Sequence, residues 1–148
     1  MKNKDLADQF NQMADLLEFK GVNIFRVNAY RKAARTIDQL TEDIEHIVEQ
    51  GRLSEVPGIG KGLTEEVLDF LKSGQLSRYD EEKQGIPDTV FDLMKLPSVG
   101  PKTAAIFYND FQVTSVDELE TLLNTGKVVG HPGFGEKKVE KIKAGIQT

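Results

Sequence analysis

The sequence predicts an all-α fold made of short helices, and three observations predict it. Apolar residues recur at helical spacing along most of the 148 residues. No run alternates apolar and polar residues for long enough to make a strand, and the stretch around Val128-Val129 is too short. The connections repeat a pattern of proline, glycine or serine, an apolar residue and glycine, which suits tight turns between helices.

Taken in order, Leu6, Phe10, Met13, Leu16 and Leu17 follow the spacing of an amphipathic helix that Gly21 stops. A second helix is expected from about Phe25 to Leu40, with Ala29, Ala33 and Ile37 four apart and Tyr30 beside them. A third is expected from Glu42 to about Gln50, with Thr41 as its N-cap. Leu63, Val67, Leu68 and Leu71 mark another, ending near Gly74. Gly85-Ile86-Pro87-Asp88 reads as a boundary. It divides the chain into 1–84, with the first glycine loop, and 85–148, with two more. Beyond it, Val90, Phe91, Met94 and Leu96 indicate a helix, as do Ala104, Ala105, Phe107 and Tyr108. Ser115-Val-Asp-Glu118 has the spacing of a capping box and opens a helix carrying Leu119, Leu122 and Leu123. The last helix is expected from about Glu136 to Ile146.

Composition narrows the function classes. With no cysteine, the chain has neither disulfides nor thiolate metal sites. His46 and His131 stand far apart and outside any ligand motif, so no catalytic metal is expected. The N-terminus lacks the apolar core of a signal peptide, and no stretch is apolar enough to span a membrane, so a cytoplasmic location is expected. The net charge of −5 argues against an indiscriminate polyanion binder, but phosphate contacts depend on local fields and backbone N–H groups. Gly21 to Ile37 holds Arg26, Arg31, Lys32 and Arg35 with no acid, whereas Asp38 to Glu49 holds five acids and no Lys or Arg. Either run alone reads most simply as a solvated helix face.

The glycine loop recurs. VPGIGKG at 56–62 is echoed by LPSVGPK at 96–102 and HPGFGEK at 131–137, each followed by a helix. No copy has the Gly-x-x-x-x-Gly-Lys-[Ser/Thr] of a Walker loop, and none follows a strand as a dinucleotide fingerprint does. What remains is a helix–turn–helix hairpin. Its second helix opens with unpaired N–H groups at the positive end of its dipole, which can hold a phosphate oxygen without reading a base. The apolar residue between the turn positions (Ile59, Val99 or Phe134) is expected to point inward and fix the turn.

These loops resemble helix-hairpin-helix motifs, a family of DNA-backbone binders that do not read sequence. FRVNAYRKAART at 25–36, the three loops and their order together resemble the N-terminal region of family X DNA polymerases, most closely the bacterial members with a third hairpin. The resemblance runs from about Lys4 to Ile146. It implies a lyase-like helical domain over 1–84 and a duplex-gripping helical subdomain over 85–148, without the polymerizing palm. It implies DNA as partner, at gaps, nicks or ends, in a nucleoid setting alongside repair or replication proteins.

Position by position, the resemblance places phosphate contacts at Gly58, Gly60, Lys61 and Gly62; at Gly100, Lys102 and Thr103; and at Gly133, Gly135, Lys137 and Lys138. It places Arg26, Tyr30, Arg31 and Arg35 around a 5′-phosphate pocket. It also implies a monovalent cation, Na⁺ or K⁺, on the carbonyls of Ser54, Val56 and Ile59, and another on those of Met94, Leu96 and Val99. Ser98 departs from the family's glycine and is strained if that position needs positive φ. A second departure bears on chemistry. Family lyases keep a Schiff-base lysine six residues after the second hairpin glycine, where this chain has Glu66, and a supporting lysine where it has Gly62. A carboxylate forms no imine, so the expectation is a DNA-binding module with no catalytic residue. The alternatives are a 5′-deoxyribose-phosphate lyase with a relocated lysine and a protein-interaction scaffold.

Overall fold

The computed structural model describes residues 1–147 and divides the chain into two compact units, Met1–Gln84 and Gly85–Thr148. Among the described residues every regular element is helical.

The first unit holds α1 (Asn3–Lys20), α2 (Ile24–Asp38), α3 (Ile44–Glu49), a 3₁₀ turn at Leu53–Glu55, α4 (Lys61–Ser73) and α5 (Ser77–Glu82). α1 buries Leu6, Phe10, Met13 and Leu17 against Val27, Tyr30, Ala34 and Ile37 of α2. The rings of Phe10 and Tyr30 meet edge to face at 5.6 Å. Gly21 ends α1 in the left-handed conformation at φ +70°, and its N–H returns to the Glu18 carbonyl.

Several expectations shift. Ala29 and Leu68 are exposed rather than part of the core stripe, because Val27 and Tyr30 set the inward face of α2 and Val67 and Phe70 that of α4. The third helix is capped by Asp43, not Thr41: the Asp43 carboxylate accepts the Glu45 N–H at 3.1 Å. Asn3, 4% exposed, accepts the Ile44 N–H at 2.8 Å and donates to the Glu42 carbonyl at 2.7 Å, so a residue of α1 satisfies the start of α3. Asn3→Ala should cost about 1–3 kcal/mol in urea unfolding, because it strands the buried Ile44 N–H and removes a half-buried bond to the Glu42 C=O. α5 is missed by periodicity because Ser-Arg-Tyr-Asp-Glu-Glu buries no residue of its own.

The second unit holds α6 (Asp88–Met94), α7 (Gly100–Phe111), α8 (Val116–Asn124) and α9 (Glu136–Gln147). Ser115 caps α8 by accepting the Glu118 N–H at 3.2 Å. The Glu118 carboxylate reaches back to the Thr114 N–H at 3.0 Å, a capping box shifted by one residue. Phe107, fully buried, joins α7 to the third loop, its ring 5.2 Å from that of Phe134. Gly145 of α9 lies against the second loop. A Cβ there would sit 3.1 Å from Pro97 Cβ and 3.2 Å from its carbonyl oxygen.

Candidate nucleic-acid interface

The three glycine loops share one turn. In each, the plug residue is buried (Ile59, Val99 and Phe134 are 4–7% exposed). Its N–H donates to the carbonyl three residues back: Ile59 to Val56 at 3.3 Å, Val99 to Leu96 at 3.2 Å and Phe134 to His131 at 2.9 Å. The residue before each plug is left-handed, with φ of +83° at Gly58, +70° at Ser98 and +90° at Gly133. Ser98 therefore carries strain that the glycines avoid. Ser98→Gly should raise the stability of the second unit by about 0.5–1 kcal/mol, the steric relief less the entropy of glycine, read as a higher melting temperature.

After the plug the copies diverge. Gly60 is the N-cap of α4 in an extended conformation, φ −81° and ψ −176°. The first intrahelical bond runs from the Thr64 N–H to the Gly60 carbonyl at 2.9 Å, leaving the N–H groups of Lys61, Gly62 and Leu63 ahead of it. Gly135 stands in the same relation to α9, where the Val139 N–H meets its carbonyl at 3.2 Å. In the second copy the helix begins one residue earlier, at Gly100, with φ +70°. Pro101 keeps Gly100 out of the ordinary helical region and brings no N–H to the first turn. The donors at the start of α7 reduce to Gly100, Lys102 and Thr103, and the Thr103 side chain is buried, leaving only its N–H for an outside partner.

Around the first loop the side chains sort themselves. Lys32 of α2 lays its stem over Gly58, with Cγ and Cε 3.5 Å from where a Cβ would stand. Arg31 is tied to α1, its Nη2 2.9 Å from Asp15 and 3.7 Å from Glu18. Arg35 is exposed in the last turn of α2. Neither Arg31 nor Arg35 reaches the cleft that Arg26 and Tyr30 share. That cleft, about 170 Å³, is lined by Arg26, Ala29, Tyr30, Gly62, Leu63, Glu66 and Arg78.

At its base the Tyr30 hydroxyl lies 2.8 and 2.7 Å from the two carboxylate oxygens of Glu66. Burial first, and then this bond, push the tyrosine pKa up to about 12. Burial also raises the Glu66 carboxyl above the usual range, against the pull of Tyr30, Arg78 and Arg26. Arg26 sets Nη1 3.9 Å from Glu82, while its Nη2 is buried with no hydrogen-bond partner.

With this geometry in place, the comparisons with known proteins become informative. Residues 1–76, just over half of the chain, match the family model described as Helix-hairpin-helix domain. The chain belongs to the helix-hairpin-helix family. Residues 90–148 of this helix-hairpin-helix chain match a second model, SAM-like Helix-hairpin-helix tandem. It is similar to the DNA polymerase/3′-5′ exonuclease PolX of Bacillus subtilis (strain 168), 32% identical over 142 residues. The match covers 96% of this chain and 24% of that protein, so the chain spans about a quarter of its relative's length.

In the third helix-hairpin-helix copy, Lys138 sits 5.4 Å over the Phe134 ring, and Lys137 is exposed. His131 packs against the rings of Phe111 and Phe134 at 5.2 and 5.7 Å and sets Nε2 3.2 Å from Asp110. Sequence reasoning missed Arg78, the cation that α5 brings to the cleft, because that segment did not read as a helix. It named Lys32 only as one of a basic run; a lysine two positions after Tyr30 gives no sign that it crosses to the first loop.

Proposed function

We propose that this chain binds DNA without regard to sequence, gripping the sugar–phosphate backbone at gaps, nicks or ends through the openings of α4, α7 and α9. The observation that carries this reading concerns Gly60 and Gly135. Neither has positive φ, and a Cβ on either would meet nothing within 4 Å. A helix N-cap accepts glycine but favours Ser, Asp or Asn at least as much, whereas a phosphate approaching the N–H groups behind it favours a position with no side chain at all. Lys61, Lys102 and Lys137 stand exposed at or just inside the three helix starts and add charge without base readout. Arg26 and Arg78 would hold a terminal 5′-phosphate.

The carbonyls of Val56 and Leu96 each accept one N–H, which leaves a lone pair outward. With Ser54 and Ile59 in the first loop, and Met94 and Val99 in the second, they would hold a sodium or potassium ion. Such an ion would supply positive charge beside the phosphate.

The test is binding to matched gapped, nicked, intact and single-stranded DNA, each with and without a 5′-phosphate, over a salt series. Affinity for gapped duplex should fall with salt at a slope of about −0.9 for each phosphate neutralised. Binding indifferent to salt, or none to gapped DNA at low salt, would overturn the reading. The cleft offers two guanidinium groups and a carboxylate, none of which forms an imine. Borohydride trapping on a 5′-deoxyribose-phosphate end should therefore give no adduct.

A further inference from the structure

The cleft beneath the first hairpin has an odd charge pattern for an anion site. Arg26 and Arg78 line it, and among the described residues Arg26 Nη2 is buried with no hydrogen-bond partner, so the guanidinium has a donor to spare. Yet Glu66, 9% exposed, lines the same small space. The Tyr30 hydroxyl, the one group bonded to its carboxylate, has a single proton to give. An ionised Glu66 offsets one of the two guanidinium charges, and a phosphate monoester entering the cleft would meet a carboxylate.

We propose that this cleft takes a terminal phosphate monoester together with a proton on Glu66, so that Glu66 acts as a proton-linked brake on recognition of a phosphorylated DNA end. The proposal rests on the DNA-binding reading above. The proton comes from solvent as the phosphate dianion enters, and no covalent bond changes. The neutral acid can then donate its own hydrogen bond to a phosphate oxygen.

The charges around Glu66 support this balance. From α2 it faces Arg26 and Tyr30; from α5, Arg78, with Glu82 beyond Arg26 and itself held by Lys20; and on its own helix, Asp69. Burial already favours the protonated form, Asp69 adds to this, and the two arginines oppose it. A dianion bound among the same groups offsets the arginines and moves Glu66 further toward the neutral acid.

The experiment compares gapped duplexes with a 5′-phosphate and a 5′-hydroxyl, for the natural chain and for Glu66→Gln, between pH 5 and 8.5. Glutamine keeps the acceptor for Tyr30 and removes the charge. At pH 8 the gain in affinity from the 5′-phosphate should be about five- to tenfold larger in Glu66→Gln. The two proteins should converge as the pH falls and Glu66 gains its proton. Titration of the phosphate itself, near pH 6, is common to both and cancels in the comparison. Tyr30→Phe, which removes the bond that favours the carboxylate, should move the convergence to higher pH, with a melting temperature reporting that the fold is kept.

A 5′-phosphate gain that is the same in Glu66→Gln and the natural chain at every pH would overturn the proposal while leaving the DNA-binding reading intact. No binding of gapped DNA by the natural chain would overturn that reading and the proposal with it.

Discussion

Phe107→Ala is expected to cost the second unit about 3–5 kcal/mol of stability. Phe107 is fully buried, and its ring meets Phe111 at 6.4 Å and Phe134 at 5.2 Å. It is therefore the side chain through which α7 holds both its own last turn and the plug of the third hairpin. Truncating a buried phenylalanine costs about 3–5 kcal/mol, the transfer term plus the cavity. A unit of this size has roughly 3–10 kcal/mol of stability in all, so the loss takes a third of it or more.

Amide exchange should show the effect directly. Protection at Val113, Leu119 and Ile142, all buried in the natural chain, should collapse. Phe107→Leu, which keeps most of the volume, should lose about half as much. Protection retained in the alanine variant would mean that the aromatic cluster does not organise this unit.

How much of this was legible depended on whether the deciding physics is local. The helices with a clear apolar stripe were readable because periodicity and burial are the same fact for a helix packed on one side. Gly21, Gly74 and the Ser115 capping box were readable because caps are chosen within a few residues of the helix end. The strain at Ser98 was readable too. A motif with glycine in two copies and serine in the third points at the turn position, and φ is positive there in all three.

What was not legible is tertiary. A side chain from α1, Asn3, satisfies the first N–H of α3. Arg31 and Arg35 share a helix face in principle, yet Asp15 and Glu18 of α1 engage Arg31, and its sequence neighbours carry no sign of them. The reverse holds for Arg78, which gains its place from the short α5 and not from any motif. Glu66 was legible as a departure from a pattern. That it bonds Tyr30 at the base of a cleft was not.

The largest expected effect on binding comes from replacing Gly60 and Gly135 together by leucine. The glycines of each loop differ in what they are for. Gly58 and Gly133 are held at φ +83° and +90°, so a side chain there strains the turn and any lost affinity would be ambiguous. Gly60 is extended at φ −81°, a region open to every residue. At both Gly60 and Gly135 a Cβ would meet nothing within 4 Å. Leucine at the two positions meets no clash and should cost only about 0.5–1 kcal/mol at each N-cap, offset in part by restriction of the unfolded chain, so the melting temperature should fall only modestly.

A bound phosphate would feel the change at once, because the side chain stands where the phosphate must come to reach the N–H groups of Lys61 and Gly62, or of Lys137 and Lys138. A charge-assisted hydrogen bond is worth about 1.5–3 kcal/mol. Each hairpin lost should then lower the affinity for gapped duplex roughly ten- to hundredfold, with the salt slope shallower by about 0.9 for each phosphate released. A double variant that melts like the natural chain and binds DNA as tightly would mean that the open helix starts are not where the backbone is held. One that loses DNA binding while keeping its fold would show that these two glycines serve the ligand and not the turn.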